Sequence, residues 1–476
     1  MNTLYWHDYE TFGIDPKYDR PAQFAGIRTD EDLNIIGEPL MIYCKLAEDS
    51  LPSPEACLVT GITPQEANEK GLPEAEFIKL IHDEFAQANT CGVGYNSLRF
   101  DDEFTRFILY RSFYDAYARE WQNGNSLWDI IDMARLTRAL RPEGINWPDH
   151  EDGKPSFRLE HLTAANNIEH AGAHDALVDV YASIALAKLI KTVQPKLYDY
   201  VYQHRRKNDV APLLNLHDRT PVVHVSRTYP SEYCGTALVI PLTKDPTNPN
   251  GVIVYDLRHS PEALINEDAE TLKEWLFTPY KDLPEGVERP ALKTIHINKC
   301  PIVVPENTLN DEAAARLDID KEQHYQHLAE LNAAGDLIAK INAIFTKPEY
   351  DSIDDPDASL YSGGFFSAND KRKMELVREA EPENLAMLSI PFEDNRLEEM
   401  LFRYRARNWP ETLNQEEQEE WQHFCQQRLE SDTHEKILNF DRFAEKIEAC
   451  RERELTDEQK TVLEYLEQYA KQLKGS

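Results

Sequence analysis

The 476-residue sequence predicts three consecutive regions: a mixed α/β domain, a small β domain and an all-helical domain. Strand-like apolar runs alternate with amphipathic helical runs from about residue 3 to 190. Short β-branched runs separated by Pro, Gly and Asn turns come next, and helical periodicity dominates the C-terminal part. The chain is also too long for one compact core. We therefore expect domains at residues 1–190, 195–348 and 351–476.

The individual elements follow from the same periodicities. In the first region the predicted strands are LYWHD, QFAGIRT, NIIGEPLMIYCK and TCGVGYN, and the predicted helices are EAEFIKLIHDEFA, DDEFTRFILYR, LWDIIDMARLTRAL and HDALVDVYASIALAKLIK. After a basic connector at YQHRRKND, the predicted strands are PVVHVS, TALVIPL, GVIVYDL and TIHINKCPIVV, with helices from about 310 to 345. Beyond the acidic linker KPEYDSIDDPDAS, the predicted helices are LEEMLFRYRARNW, EEQEEWQHFCQQRLE, EKILNFDRFAEKIEA and EQKTVLEYLEQYAKQL.

The composition excludes several classes of protein. No apolar run reaches the roughly eighteen residues that span a bilayer, so a membrane protein is not expected. The first residues, MNTLYWHDYE, lack the basic and apolar regions of a signal peptide. The seven cysteines are scattered without a C-x-x-C pair, so neither a zinc site nor a disulfide framework is indicated. We expect a cytoplasmic protein.

The charge of the chain restricts how it can bind nucleic acid. Its formal net charge of -34 would repel a phosphate backbone, so any such contact must be local. Basic residues gather in the first half of the chain, at Arg106, Arg111, Arg135, Arg138, Arg141, Arg158 and the segment HRRKND. Either they form a basic groove on an acidic body, or they are scattered surface charge.

Two carboxylates end the first predicted strand. Asp8 and Glu10, in LYWHDYETFG, are two residues apart, so their side chains leave one face of the strand and can share a divalent cation. In isolation, D-x-E is typical of a solvated acidic surface. Here the flanking apolar residues predict burial, where uncompensated charge is costly and a metal ion would relieve the cost.

Three further candidate groups follow along the chain. Asp101, in YNSLRFDDE, begins a helix at the carboxyl edge of the sheet, where ligand sites of α/β sheets gather; alternatively, Asp101 or Asp102 only caps that helix. His174 and Asp179, in AHDALVDV, lie at the start of another helix and can converge on one point. An imidazole can act as a general base there, although a lone histidine is more often structural.

Together these motifs offer four carboxylates and one imidazole, the groups that a two-metal site for phosphodiester hydrolysis requires, so the sequence predicts a nuclease. Their order and spacing resemble the DEDD superfamily of 3′-to-5′ exonucleases, in the subgroup with His in the last motif. TGITP at residues 60–64 is similar to the loop by which these enzymes contact the terminal nucleotide. The family resemblance narrows to bacterial exonuclease I along nearly the whole chain, through HDYETFG, DRPAQFA, YNSLRFDDE, LRPEGINWP, PSFRLEHL, HINKCP, GFFS and FRYRARN.

That resemblance implies a fold and an activity. The α/β domain would be a ribonuclease H-like exonuclease domain with a mixed sheet flanked by helices, followed by an SH3-like domain and a helical C-terminal domain. Together the three domains would form a C-shaped clamp around single-stranded DNA. The implied activity is a metal-dependent 3′-to-5′ exonuclease that degrades single-stranded DNA processively to 5′-mononucleotides in DNA repair, recombination and mismatch correction.

The resemblance also implies roles for individual residues. Asp8, Glu10 and Asp179 would bind the catalytic cation, Asp101 would help to hold a second one, and His174 would be the general base. The cofactor would be two Mg²⁺ ions, with Mn²⁺ as a substitute. Glu10 and Arg158 would contact the substrate, Arg158 near the terminal phosphate, where a guanidinium suits bidentate binding. The alternative for Arg158 is a surface ion pair.

Further residues are expected to contact the DNA substrate and a protein partner. Aromatic and basic residues alternate from Arg106 to Trp121, which suits single-stranded DNA, although an aromatic stripe is more often core. The expected DNA contacts are Arg106, Tyr117, Trp121, Arg135, Tyr200 and Lys207, with Lys299 and Phe366 as weaker candidates. The resemblance further implies a monomer that binds the acidic C-terminal tail of single-stranded-DNA-binding protein through Arg141 and Arg316. The segment HLAELNAAGD lacks the family's further basic residues at that site.

Three rival interpretations are open at this point. A proofreading subunit or an oligoribonuclease carries the same catalytic motifs, but those proteins are short. A catalytically silent DNA-binding protein on the same fold would have lost a ligand, and none is missing here. If the motifs are coincidental, an acidic interaction protein is left, and absence of Mg²⁺ binding would favour it.

Overall fold

The structure is a computed structural model that describes residues 2–170, 175–346, 355–388, 390–431 and 435–475. The strands are β1 Thr3–Thr11, β2 Pro21–Thr29, β3 Leu40–Tyr43, β4 Thr90–Gly94, β5 Ser126–Asp129, β6 Val222–Val225, β7 Thr236–Lys244, β8 Gly251–Asp256, β9 Leu292–His296 and β10 Val303–Pro305.

The α-helices lie between and after these strands. They are α1 Pro54–Thr60, α2 Pro64–Lys70, α3 Glu74–Phe85, α4 Asp101–Arg111, α5 Ile130–Leu140, α6 Leu159–Ala165, α7 Ala176–Val193, α8 Pro195–Gln203, α9 Lys207–Val210, α10 Glu262–Asn266, α11 Ala269–Phe277, α12 Asp311–Arg316, α13 Lys321–Ala333, α14 Ile338–Ile344, α15 Ala368–Glu379, α16 Pro382–Leu385, α17 Arg396–Asn408, α18 Gln415–Glu430, α19 Phe440–Arg451 and α20 Asp457–Gly475. Among the described residues, no helix is both long and apolar enough to cross a membrane.

The chain divides into two compact units. One unit contains residues 1–126, 170–181 and 350–476, and the other contains residues 127–169 and 182–349. The predicted N-terminal domain is therefore shared between the two units, and its catalytic motifs fall in the first. The three predicted domain boundaries stay a prediction.

The first unit contains four strands of a mixed sheet, in the order β3-β2-β1-β4. β1 pairs antiparallel with β2 and parallel with β4, so it is an interior strand. Its aromatic residues are buried with residues of β2, α3 and α4, in a core that contains Tyr5, Tyr9, Phe24, Phe77, Phe85 and Phe104. This core fixes the strand that carries the D-x-E motif.

The C-terminal helices pack on the α/β part of the same unit. One hydrophobic core joins Phe12, Ala22 and Leu46 to residues of α18, α19 and α20, among them Leu429, Phe443, Ile447 and Leu466. A second core joins Tyr110 and Phe113 to Met374, Leu397 and Tyr404. The predicted helical C-terminal region is confirmed, and it shares its cores with the first region.

The second unit contains a five-stranded antiparallel sheet in the order β10-β6-β7-β8-β9. Its strands are rich in β-branched residues, which favour the pleated conformation. The core of the sheet contains Val222, Val239, Val254, Ile295 and Val303, and it also takes in Val210 and Leu214. The predicted β region is thus confirmed, with helices α12, α13 and α14 after it as expected.

Four predicted elements differ in detail. The predicted strand NIIGEPLMIYCK contains only the four-residue strand β3, Leu40–Tyr43. LWD, predicted as helix, is strand β5, because Asp129 caps α5 by accepting a hydrogen bond from the backbone N–H of Ile131. TIHINKCPIVV contains two strands, β9 and β10, separated by a turn in which Cys300 has a φ of 45°. α19 begins at Phe440 because the side chain of Asn439 caps it. The linker KPEYDSIDDPDAS lies largely outside the described residues.

Buried ion pairs join the α/β part of the first unit to its C-terminal helices. Asp49 is fully buried, and the Arg407 guanidinium donates to it at 2.9 Å and to Asp357 at 2.7 Å. Arg403 also donates to Asp357, at 3.0 Å. The nearby arginines hold the pKa of Asp49 and of Asp357 well below the usual range, although burial alone would raise both.

We expect Arg407→Met to lower the free energy of unfolding by about 3 kcal/mol, because it removes one partner of two buried carboxylates. Urea denaturation of the two proteins measures the difference. Arg451→Met is the matched control, since Arg451 pairs with Glu448 and Glu467 with its side chain 44% exposed. That change should cost about 1 kcal/mol or less. Equal losses in the two variants would contradict a structural role for the buried pairs.

Candidate active site

The D-x-E motif lies at the C-terminal end of β1. The pairing of β1 with β2 runs from Leu4 to Thr11 and shifts register between Glu10 and Thr11. Asp8 is half-buried and Glu10 is buried. One carboxylate oxygen each from Asp8, Glu10 and Asp179 lies within 4.8 Å of the others. The structure therefore brings together the three predicted ligands of the catalytic cation, from opposite ends of the predicted α/β region.

Asp101 is held next to the motif by the strand itself. The backbone N–H of Tyr9, between the two motif carboxylates, donates to Asp101 at 3.0 Å. Asp101 is the first residue of α4, and the N-cap position belongs to Phe100, which makes no side-chain capping bond. The side chain of Asp101 is thus directed to β1, and the alternative in which it only caps the helix is not the arrangement observed.

Burial, followed by mutual repulsion, determines the electrostatics of the cluster. Burial and the neighbouring charges of Asp101, Glu10 and Asp179 raise the pKa of Asp8 well above its usual range. Burial and the charges of Asp179, Asp101 and Asp175 raise the pKa of Glu10 to about 9. Acids whose pKa values are raised in this way are stabilised as carboxylates by a positive charge nearby, which fits a divalent cation, whose preferred ligands are carboxylate oxygens.

A histidine contacts the cluster, and it is not the predicted one. His170 Nε2 is hydrogen-bonded to Asp179, and its side chain is buried. His174, the predicted general base, lies outside the described residues. The sequence contained a signal for His170, because IEHAGAHD places a second histidine four residues before the predicted one. His170 holds the Asp179 carboxylate, the ligand that comes from α7.

Asp102 has a different environment from its neighbour Asp101. The Arg119 guanidinium donates to Asp102 at 2.5 Å, and both side chains are buried. His7 Nε2 lies 3.7 Å from the same carboxylate. The pKa of Asp102 is lowered, because the charge of Arg119 and its hydrogen bond outweigh the effect of burial. Burial lowers the pKa of His7 to about 4. Asp102 is thus a structural ion-pair partner next to the site.

Comparison with known proteins shows the family of the chain. Residues 5–187 match the exonuclease family, residues 205–347 match the exonuclease I SH3-like domain, and residues 354–473 match the exonuclease I C-terminal domain. Exodeoxyribonuclease I of Escherichia coli strain K12 is 50% identical over 422 residues, which cover 88% of each chain. The chain belongs to the exonuclease I family. It therefore has an exonuclease domain of a nuclease hydrolase, which implies dependence on a divalent metal.

Solved structures of the exonuclease I family agree with this membership. The chain is similar to exonuclease I from Methylocaldum szegediense, with a TM-score of 0.95, 50% identity, and coverage of 99% of this chain and 100% of that one. Escherichia coli exonuclease I in complex with a dA16 oligonucleotide gives a TM-score of 0.95 at 46% identity and the same coverage. At the same identity, an ExoI/SSB-Ct complex gives a TM-score of 0.92, with coverage of 99% of each chain.

The predicted DNA contacts of the first unit differ in exposure. Arg106 is buried, and its guanidinium is paired with Glu103 and, at 2.6 Å, with Glu120. The Tyr117 ring lies 5.8 Å from that guanidinium. Trp121 is 63% exposed, as a stacking platform requires. Arg106 is therefore placed to support Tyr117, and Trp121 presents an open surface.

The GFFS segment contains an exposed ring that the sequence did not distinguish. Phe366, the predicted candidate, is half-buried and stacks on Tyr110 at 5.6 Å. Its neighbour Phe365 is 86% exposed and lies 6.2 Å from the Tyr117 ring. In this segment the ring available to a base is Phe365. Which of two adjacent phenylalanines faces solvent depends on packing, so the sequence carries no signal for it.

The remaining predicted DNA contacts lie in the second unit. Arg135 is half-buried and paired with Asp132 at 2.5 Å, whereas Arg158 is exposed at the start of α6. Within the described parts of the chain, Arg158 has no ion pair, so the surface ion pair considered as its alternative is not observed. Tyr200 stacks on a histidine of its own helix end, Lys207 donates to an asparagine, and Lys299 is exposed.

Both predicted partner-binding arginines contact the backbone of the second unit. Arg141, after α5, donates to the carbonyl of Thr308 at 3.0 Å. Arg316, in α12, donates to the carbonyl of Ala139 at 2.7 Å. The two residues thus come from neighbouring elements that are bonded to each other. Each guanidinium is anchored by a backbone carbonyl of the neighbouring element.

We expect the metal-free protein to lose stability as pH rises. The pKa of Glu10 in the folded state, about 9, is above that of an unfolded glutamate, about 4.3, so the folded state holds the proton more tightly. The stabilising contribution is complete below the lower value and is lost as pH rises towards the higher one. Thermal melts in EDTA between pH 5 and pH 9 should show this fall, and Mg²⁺ should reverse it at pH 8. Glu10→Gln should flatten the fall; an unchanged slope would contradict the assignment.

We expect Asp179→Ala to abolish cleavage of single-stranded DNA but to leave binding within about threefold, because the variant loses a metal ligand and keeps the DNA-contacting residues. Gel-based cleavage and fluorescence anisotropy measure the two properties. Asp83→Ala is the control, since Asp83 is an exposed acid of the same unit that pairs with Lys79. Undiminished turnover in Asp179→Ala would remove Asp179 from the site.

Proposed function

We propose that this protein is a 3′-to-5′ exonuclease that degrades single-stranded DNA processively to 5′-mononucleotides. One observation carries the proposal: Asp8, Glu10 and Asp179 present oxygens within 4.8 Å of one another on an exonuclease fold. A protein similar to this chain along nearly all of its length forms complexes with single-stranded oligonucleotides. The physiological setting that we propose is DNA repair, recombination and mismatch correction.

The chain's own residues divide the chemical work. Asp8, Glu10 and Asp179 would hold the catalytic cation, and Asp101 would help to hold a second one. A bound divalent cation supplies Lewis acidity at the scissile phosphate and lowers the pKa of a coordinated water. We propose Mg²⁺ in two copies, with Mn²⁺ as a substitute; a zinc-bound form of a similar exonuclease I supports divalent binding. His170 orients Asp179, and His174 is the proposed general base.

Substrate grip combines exposed rings with guanidinium groups. Trp121 and Phe365 offer open aromatic surfaces on which unpaired bases can stack, at about 1 to 3 kcal/mol per base. Tyr117 lies between Phe365 and the Arg106 guanidinium. In the second unit, Arg135, Arg158, Tyr200 and Lys207 are the proposed contacts to the strand. Glu10 and Arg158 are the proposed contacts to the terminal nucleotide.

We also propose a protein partner and a compartment. The acidic C-terminal tail of single-stranded-DNA-binding protein would bind at Arg141 and Arg316, as an ExoI/SSB-Ct complex of a similar protein supports. Two guanidinium groups suit a terminal carboxylate. We propose a monomer that acts in the cytoplasm, where bacterial DNA lies and where the seven cysteine thiols would stay reduced.

The deciding experiment is digestion of a 5′-labelled single strand with and without Mg²⁺, next to the same strand blocked at its 3′ end. We expect stepwise shortening that requires Mg²⁺ and that the 3′ block abolishes. An RNA strand of the same sequence tests the choice of sugar. If folded protein binds the unblocked DNA and leaves it intact, the protein is a binding protein on an exonuclease fold.

A further inference from the structure

A cavity of about 280 Å³ lies within the second unit. Its walls come from two stretches of chain, one from Ile131 to Arg158 and one from Arg227 to Gly235. The lining includes three arginines and two aromatic rings, namely Arg135, Arg158, Arg227, Phe157 and Tyr229. Of the described residues that line it, none carries a carboxylate. The cavity is therefore basic on a chain whose net charge is -34.

The charge of the cavity is largely uncompensated. Arg135 is paired with Asp132 at 2.5 Å. Arg158 and Arg227 are exposed, and neither forms an ion pair with any residue in the described ranges. Two guanidinium groups thus face an open volume with their charge available. A ligand that carries two or more negative charges, or a chain of phosphates, matches this arrangement.

The turn that carries Arg227 is anchored. It follows β6, where the backbone N–H of Tyr229 donates to the carbonyl of Ser226 at 3.1 Å. Lys293 donates to the hydroxyls of Ser226 at 2.8 Å and of Thr228 at 2.5 Å, on either side of Arg227. The turn is therefore fixed by contacts of both flanking residues. Arg227 is presented from a rigid position, which lowers the ordering cost of a contact through its guanidinium.

Aromatic walls distinguish the cavity from a simple anion site. The Phe157 ring is half-buried, with the Arg135 guanidinium 5.7 Å from its centre. The buried Tyr229 ring forms another part of the wall. A free phosphate or an acidic peptide needs the guanidinium groups and gains little from the rings. Single-stranded nucleic acid uses both, because phosphates bind the cations and bases stack on the rings.

We propose that this cavity binds one nucleotide of the single-stranded DNA substrate, with Arg227 and Arg158 on the backbone phosphate and Phe157 against the base. The inference rests on the proposed function and deepens it, since it adds Arg227, Phe157 and the cavity to the substrate path. Arg227 lies outside every motif that indicated the family. It is a substrate-binding residue of this chain rather than a catalytic residue.

The test measures binding of fluorescent dT16 to the full-length protein by anisotropy, in EDTA so that the strand stays intact, between 50 and 200 mM salt. We expect Arg227→Gln to weaken binding about 3- to 10-fold and to reduce the slope of log affinity against log salt by about 0.7, the value for one phosphate contact to a single strand. Arg227→Lys should recover most of the slope. Phe157→Leu should weaken binding about 5-fold or more with the slope unchanged.

Lys281→Gln is the matched control, because Lys281 is an exposed cation of the same unit outside the cavity wall. It should leave both affinity and slope as in the unmodified protein. If Arg227→Gln behaves like this control while the unmodified protein binds and digests dT16, the inference about the cavity is wrong and the proposed function stands. If Arg227→Gln loses affinity only for an acidic peptide, the cavity is a peptide site, which also overturns the inference. Failure of the unmodified protein to digest dT16 in Mg²⁺ would instead overturn the proposed function.

Discussion

The repulsion among four carboxylates at the end of β1 is the constraint on which the rest of the first unit depends. Hydrogen bonds fix two of these acids: the backbone N–H of Tyr9 donates to Asp101, and the His170 imidazole contacts Asp179. The raised pKa values of Asp8 and Glu10 express the cost of this arrangement. A bound divalent cation would remove this cost, so the repulsion in the metal-free protein favours binding of the cation.

Two other buried acids of the same unit, Asp102 and Asp49, are neutralised by arginines. Asp102, one residue from the site, is paired with Arg119, and its pKa is lowered. Asp49 is joined to Arg407, which belongs to a helix more than three hundred residues later in the chain. These pairs hold α4 and the C-terminal helices in place around the sheet. Arginines thus neutralise these structural acids. The acids of the candidate site are contacted instead by a backbone N–H, at Asp101, and by a histidine, at Asp179.

The sequence predicted what periodicity and local motifs determine. The strand that carries Asp8 and Glu10, the helix that begins at Asp101 and the helical C-terminal region could all be predicted from spacing. Pairing between distant residues could not, because Arg119 and Arg407 find their carboxylates only through tertiary packing. The same limit explains Arg106, whose exposure the aromatic pattern could not determine. LWD was wrongly predicted as helix because β5 runs directly into α5, and only the capping residue Asp129 marks the boundary between them.

The distribution of charge reconciles an acidic chain with an anionic substrate. Many arginines of the first unit form ion pairs with carboxylates of the same unit. Arg106, for example, is paired with Glu120, and Arg111 is paired with Glu74. The net charge of -34 then disfavours unspecific adhesion to phosphate backbones. What attraction is left must come from local cations, and Arg158 and Arg227 are cations with open surroundings in a single cavity. In such a protein a few exposed guanidinium groups carry a larger share of the salt-dependent affinity than they would on a basic surface. Substrate recognition is therefore sensitive to single arginines, whereas the catalytic site is sensitive to single acids.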